Sequence, residues 1–520
     1  MALLAALLGW MFDGFEIGLF PLVGPNALKE LLQDEIAVNP SARDQWFGVI
    51  MAMFLIGAAT GGVVFGWLGD RVGRVRAMSL SILTYAIFTG LCGLATEAWH
   101  IAALRFVASL GMGGEWSLGV ALVTELWPSQ SRALLAGLIG AAANVGFLVV
   151  GLLSLVLVNF IQGFGELLTA SGVPEATVQT LLRGDGWRLL MIAGALPALL
   201  VFFIRMFVPE SQKWETANRE QETSYWATQD LLGVVLGAAG AAALAALWSP
   251  AFNQAASRFL AESTSTAWLG ALRLLGTALG LAVALFGFMH PVVRYLARAR
   301  AAGKISSSDG NRYLKRMVLG ACLAGIPLLG TWGSFQWVPK WTIALANLLP
   351  PEGGPYHAKE YAQIIAAFGA IAGTILAALA GGAIGRRPTY AILCIGSFAS
   401  LVFMYTANDA YGPKLFASIF VASGVTAAFY GWFPLYFPEL FPTSIRATSQ
   451  GFAYNFGRVL SAVGSLQTAV LIAYFAQGIA AERVEVEAFP RAGAMLAGIY
   501  LLGVAIIWLG PETKGKPLPD

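Results

Sequence analysis

Apolar stretches about twenty residues long recur along the chain at 1–22, 44–68, 77–95, 98–124, 131–159 and 187–208, and again at 315–339, 361–383, 388–406, 414–437, 447–477 and 491–510. Two more, 229–250 and 267–291, lie between these sets. About twenty residues at 1.5 Å each cross a hydrocarbon layer of roughly 30 Å. Lipid offers no partner to an unpaired backbone group, so every stretch is predicted as a helix. The expectation is an all-α polytopic membrane protein with six spans, two extra spans and six spans, fourteen in all. Among the polar segments, 160–186 is expected to form two short helices and 341–360, with PPEGGP at 350–355, an external loop. The basic stretch 294–316 reads as an amphipathic connector lying on anionic headgroups.

The two sets of six are copies. ELWPSQSRA at 125–133 returns as ELFPTSIRA at 439–447, an offset of 314 positions that keeps the Glu125 to Arg132 spacing in Glu439 to Arg446. GWLGDRVGRVR at 66–76 and GGAIGRR at 381–387 place Gly73 and Gly385 in register at an offset of 312. Two independent matches at nearly one offset indicate a duplication, which divides the chain into halves 1–210 and 315–520 with an insert at 211–314. Two packed halves rocking about a central site is the physics of alternating access, so the repeat points to a transporter.

Composition agrees: 57% of the 520 residues are hydrophobic and only 12% charged, against roughly 25% charged in a soluble domain. Most basic residues fall in segments sharing one side with the start of the chain, including Arg71, Arg74, Arg76, Arg294, Arg298, Arg312, Arg386 and Arg387. The positive-inside rule then puts both termini in the cytoplasm, with the protein in the plasma (inner) membrane. The net charge of +3 reflects this asymmetry, and no run resembles a nucleic-acid patch. Cys92, Cys322 and Cys394 lie in apolar helices and read as buried, inert thiols. The opening MALLAALLGWMF lacks a small-residue cleavage site, so no signal peptide is expected, and a short cytoplasmic head is expected ahead of the first helix. His100, His290 and His357 lie near span ends or in a loop. With no nucleophile–base pair, metal-ligand cluster or phosphate loop, neither an enzyme, a metal nor a cofactor is expected.

These residues resemble the major facilitator superfamily. GWLGDRVGRVR is similar to its signature loop at Gly66, Asp70, Arg71, Gly73 and Arg74. The resemblance implies a gating charge network of Asp70, Arg71 and Arg74 at the cytoplasmic mouth; the alternative is topogenic charge beside a tight turn. In the second copy Gly382 and Ala383 stand where the acid and base should be, implying a weaker latch. RFVASLGMGGEW at 105–116 resembles the fourth-helix motif, with Ser109 where glycine is common, and VPES at 208–211 and GPETKGKPLP at 510–519 resemble the ends of the sixth and twelfth helices of sugar and metabolite porters. DGFE at 13–16, GGEW at 113–116, PELFPTSIRATSQGFAYNFGR at 438–458 and the extra central pair narrow the resemblance to metabolite:proton and sialate:proton symporters. GLIGAAANVGFLVVG at 137–151 lacks the proline of the drug-antiporter signature, which disfavours drug export.

A charge at the bilayer centre costs at least about 2.5–3.5 kcal/mol, so intramembrane ionisable residues are candidates by default. Asp13 and Glu16 share one face of the first helix, with Asp13 roughly 18 Å in. Their repulsion and desolvation mean that one should carry a proton; a buried salt bridge to an arginine is the alternative. Glu115, about 20 Å along the fourth span, either couples protons or pairs with Arg458, Arg105 or Arg188. Arg458 presents a planar fork suited to a carboxylate about 18 Å deeper than Arg446. Arg105 and Arg188 lie nearer the outer face, where a structural role is expected, with Arg105 also kept as a substrate candidate; Arg273 is expected to face a headgroup or partner helix. Glu125 with Arg132, and Glu439 with Arg446, are expected as structural or gating pairs. In GTWGSFQWVP at 330–339, Gly330, Gly333 and Pro339 can distort the helix and line a cavity, while Trp332 and Gln336, four apart, share a face. Asn144, Tyr430, Tyr454 and Asn455 complete the candidate binding set, with helix packing as the alternative for each.

The sequence therefore leads to proton-coupled uptake of a small organic acid or related polar metabolite. A sugar or zwitterionic osmolyte porter, in which Arg458 only pairs with Glu115, and a membrane sensor that binds without transporting remain the alternatives. The partners expected are the substrate, protons and lipid; the oligomeric state is open.

Overall fold

The computed structural model describes residues 2–39, 42–127, 131–249, 252, 265–350, 357–480 and 483–519. Residues 351–356 of the expected external loop and Arg258 of the insert lie outside them, and the start of that loop belongs to a helix, Val338–Ala346. Every regular element among the described residues is helical. The first half contains α1 (Ala2–Leu31), α2 (Ala42–Val72), α3 (Arg74–Cys92), α4 (Ala98–Leu126), α5 (Arg132–Ala170) and α6 (Glu175–Ala193, continued by Ala198–Phe207). The insert contributes α7 (Leu231–Leu247) and α8 (Ser265–Ala301). The second half holds α9 (Ser307–Gly333), α10 (Ala358–Ile384), α11 (Arg386–Ala407), α12 (Pro413–Ala427, continued by Phe429–Tyr436), α13 (Arg446–Phe475) and α14 (Val484–Leu496, continued by Ile499–Ile506).

Among the described residues, thirteen helical segments are long and apolar enough to cross a membrane. The remaining expected span, α13, is one continuous helix of 30 residues. It packs on α2 and α9 and carries Arg446, Gln450, Asn455 and Arg458 along its length. The halves meet along two seams, α2 with α13 and α5 with α10. Small residues make the first seam close: a Cβ on Gly451 would sit 2.2 Å from the Gly62 carbonyl oxygen. Without a hydrophobic force between helices in lipid, such backbone contact is what holds them.

The insert lies over the α2–α13 seam, with α7 on α2 and α13 and α8 reaching α9, α13 and α2. Phe288 of α8 meets Phe456 of α13 edge-on at 6.5 Å. The sequence left the place of this pair open.

Three expectations change. The stretch 294–316 is not a separate connector: α8 runs to Ala301, Gly303 turns the chain at φ +73°, and Ser306 caps α9 by accepting from the Asp309 N–H at 3.1 Å. The first of two helices expected in 160–186 is the continuation of α5 to Ala170. Cys322 is exposed on α9, whereas Cys92 and Cys394 are buried. Apolar flanks cannot distinguish a helix face turned to lipid from one turned inward.

Candidate functional site

α1, α4 and α13 bring the intramembrane charges together. Asp13 and Glu115 are 7% and 2% exposed, and their carboxyl groups lie close enough to interact, with Asp13 Oδ1 and Glu115 Oε2 buried and without a hydrogen-bond partner. Gly9, one turn before Asp13, makes room: a Cβ there would sit 2.0 Å from Glu115 Oε1. Two carboxylates have no donor between them, so this approach favours a proton on one of the two.

Arg458 approaches from the other half, close enough for its charge to act on Asp13. Its guanidinium stands 5.6 Å from the centre of the Tyr454 ring, and its buried Nη1 has no hydrogen-bond partner. Tyr454 stacks on Trp116 at 4.0 Å and meets Phe433 edge-on at 5.7 Å. Tyr430, also beside Arg458, donates its hydroxyl to Thr331 Oγ1 at 3.3 Å. The result is an aromatic wall around a guanidinium with one unpartnered nitrogen, close to a carboxyl pair.

Other candidates fall elsewhere. Glu16 is held by Arg105 and, at 3.0 Å, by the Thr89 hydroxyl, while Arg105 also lies 4.6 Å from the Phe54 ring centre. Of the arginines offered to Glu115 as the alternative to proton coupling, Arg105 takes Glu16 and Arg188 takes Glu30 at 3.2 Å. Asn455 Nδ2 donates to the Gly113 and Gly451 carbonyls, both at 3.0 Å, so it ties α13 to α4. Asn144 donates within its own helix to Gly140 O at 2.8 Å. Arg273 stacks on Trp248 at 5.1 Å. The helix break forecast at 330–339 is present, since α9 ends at Gly333 and a short 3₁₀ turn, Phe335–Trp337, follows. It falls between Trp332 and Gln336, so they do not share one helical face.

A second cluster closes the basic end of the bundle. Arg74 donates to Asp70 Oδ1 at 2.7 Å, to Glu125 at 3.2 Å and, across the halves, to the Thr443 carbonyl at 2.7 Å. Asp70 caps α13, accepting from the N–H groups of Ala447 and Thr448 at 3.1 and 2.8 Å and from the Thr448 hydroxyl at 2.6 Å. Arg446 reaches Glu125 at 2.6 Å, with both side chains fully shielded. The pairs expected within each copied motif are thus corrected: Glu125 takes Arg74 and Arg446, and Glu439 takes Arg386 at 2.7 Å. Arg132 lies near Glu439 with its Nε unpartnered. Arg71 points away, donating to Thr228 of the insert at 2.7 Å. At the opposite end, the Ser154 hydroxyl of α5 donates to Glu360 of α10 at 3.1 Å.

Apart from the Arg74–Asp70 bond, which Gly382 cannot copy, the loop is built alike in each half. Gly73 and Gly385 turn the chain at φ +111° and +110°, values glycine tolerates best. Glu210 accepts from the Arg74 and Val75 N–H groups; Glu512 accepts from those of Arg386 and Arg387. Ser211 donates to Glu125 as Thr513 donates to Glu439. Burial of Glu512 opposes its charge, but four backbone N–H donors outweigh this and hold its carboxyl below the usual range. The sequence reasoning missed Glu210, Ser211, Arg386, Glu512, Thr513 and Thr448; the VPES and GPET endings held the signal for Glu210, Ser211, Glu512 and Thr513.

The family model described as Major Facilitator Superfamily matches residues 3–350. The cis,cis-muconate transport protein of Acinetobacter baylyi is 26% identical over 80% of this chain and 76% of its own. The sialic acid transporter NanX of Escherichia coli is 22% identical over 97% of this chain and 96% of its own. Among solved structures, the proton:xylose symporter XylE bound to 6-bromo-6-deoxy-D-glucose covers 99% of this chain and 97% of its own with a TM-score of 0.62 at 18% identity, a likeness of fold alone.

Proposed function

We propose that this chain, which belongs to the Major Facilitator Superfamily and is a membrane transporter rather than an enzyme, takes up a small organic acid together with a proton. The observation that carries the reading is Arg458, a buried guanidinium with a free Nη1 facing the Asp13–Glu115 pair. Its planar fork matches a carboxylate, and the aromatic wall of Tyr454, Trp116 and Tyr430 would accept a compact, partly apolar body. The names of the relatives, muconate and sialic acid, are those of organic acids and support the same class. The protein lies in the plasma membrane with both termini cytoplasmic, a reading supported by the basic residues gathered at that end.

Coupling follows from charge. A substrate carboxylate on Arg458 and a proton on the Asp13–Glu115 pair favour one another, because each removes a charge the other would oppose. Such coupling is reciprocal: substrate promotes proton uptake, and substrate release frees Arg458 to attract ionised Asp13. Asp70, Arg74, Glu125 and Arg446 form the gate that seals the cytoplasmic mouth while the site loads from outside. Glu16 and Arg105 are fixed structure of the first half.

The test is uptake of labelled muconate, sialate, lactate and glucose into proteoliposomes with and without an inward proton gradient. Gradient-driven uptake of an acid is expected in the wild type. Asp13→Asn and Glu115→Gln should abolish accumulation yet retain exchange, and Arg458→Gln should abolish both. Uptake of glucose, or acid uptake indifferent to the gradient, refutes the proposal.

A further inference from the structure

At the basic end, a groove of about 910 Å³ opens between the start of α9 and the end of α14, outside both clusters described above. Its α9 wall is one helical stripe. Arg312, Lys315 and Arg316 come first, and Leu319 and Cys322 follow one to two turns deeper. The facing wall is apolar, with Leu509 79% exposed toward the surroundings of the bundle. Cationic groups therefore stand at the rim of a membrane-spanning helix and hydrocarbon stands below them, in the order of a phospholipid's own headgroup and chains.

The charges are only partly used inside the protein. Arg312 pairs with Asp309 at 2.6 Å on the exposed side, and Arg316 donates one N–H to the Leu440 carbonyl at 3.0 Å. Glu512, the acid that follows the groove's Pro511, is turned onto the backbone N–H groups of Arg386 and Arg387. The lining carries three cations and, among the described residues, no carboxylate.

We propose that this groove binds one anionic phospholipid of the adjoining leaflet, its phosphate on Arg312, Lys315 and Arg316 and an acyl chain along Leu319 and Leu509. A soluble phosphate ester would satisfy the cations but leave the apolar wall in water, so the lipid is the occupant that both walls select. Occupancy would also bear on the seal between the halves, because Arg316 holds the backbone of Leu440, next to Glu439.

Cys322 provides the test, because the other two thiols are buried. Its alkylation by N-ethylmaleimide would be timed in purified protein in mild detergent, with added phosphatidylglycerol, phosphatidylcholine or glycerol 3-phosphate. Phosphatidylglycerol alone should slow the reaction in a saturable way. Arg312→Gln with Lys315→Gln should weaken its apparent affinity about thirtyfold, and Leu509→Gln, which keeps the cations, should weaken it as well. Equal protection by phosphatidylcholine would mean ordinary boundary lipid; protection by glycerol 3-phosphate, or an unaffected Leu509→Gln, would mean an anion site without a lipid. Either result, or no protection at all, overturns the proposal.

Discussion

Arg105 and Arg458 both enter the membrane, but their surroundings differ. Arg105 is matched by Glu16 and flanked by Phe20 and Phe54, whereas Arg458 retains an unpartnered Nη1. Breaking a buried pair by removing one partner leaves an uncompensated charge, which costs about 3–5 kcal/mol. Arg105→Gln should therefore lower the melting temperature in detergent sharply, while Arg458→Gln should melt near wild type and lose only the stabilisation that added substrate confers. Melting curves with and without substrate separate the two. The sequence identified each of these charges from its type and depth, but could not say which acid meets which arginine. Glu115 could be offered three arginines and has Asp13 instead, because the choice depends on Gly9 opening space on a neighbouring helix.

At the scale of helices and loops, glycine sets the distances. Gly451→Ala would place a methyl against the Gly62 carbonyl, 2.2 Å from its oxygen, and the obstacle is backbone that no rotamer change removes. We expect about 1–3 kcal/mol of destabilisation, read from the melting curve. The loop after α10 makes a pH prediction. Glu512 is held below its usual range, so its contribution is complete above the unfolded value near pH 4.3 and is lost as pH falls through the lower folded value. Glu512→Gln should be less stable than wild type at pH 7, and the difference should shrink on acidification below about pH 4; a constant gap would show that the carboxylate's charge does not matter. The duplication made both loops legible in the sequence. The second copy lacks the acid at Gly382, yet Arg386, Glu439, Glu512 and Thr513 rebuild the rest, and of these only Glu439 stands out in the sequence as a gating residue.

On the scale of the whole molecule, the copies differ in what crosses between halves. Asp70 caps α13 in the other half, and Gly382 offers no side chain to do the same for α5. Asp70→Asn should loosen the basic end and raise the alkylation rate of a Ser449→Cys reporter, which is buried in the native seal. A cost of about 1–3 kcal/mol for a broken buried contact corresponds to a shift of roughly fivefold or more in the closed-to-open ratio. An unchanged rate would mean that Arg446 and Glu125 suffice. An all-helical membrane fold could be read from hydrophobic periodicity, and the matching loops from repetition, since both are local or copied signals. The resting place of the insert could not, because the α2–α13 seam exists only after the two halves have come together.

That resting place limits how the mouth can move. Trp214 donates to Asp70 O on one side at 2.9 Å, and Trp226 donates to Ser444 O on the other at 3.2 Å; just past Trp226, Arg71 holds Thr228 and Arg298 grips Asp230. Rigid halves that tilt apart keep their internal distances but lengthen every distance across the seam. This short run of chain is therefore a tether with a fixed reach: the mouth can widen only until the slack is gone, and wider opening must begin with Trp226 letting go.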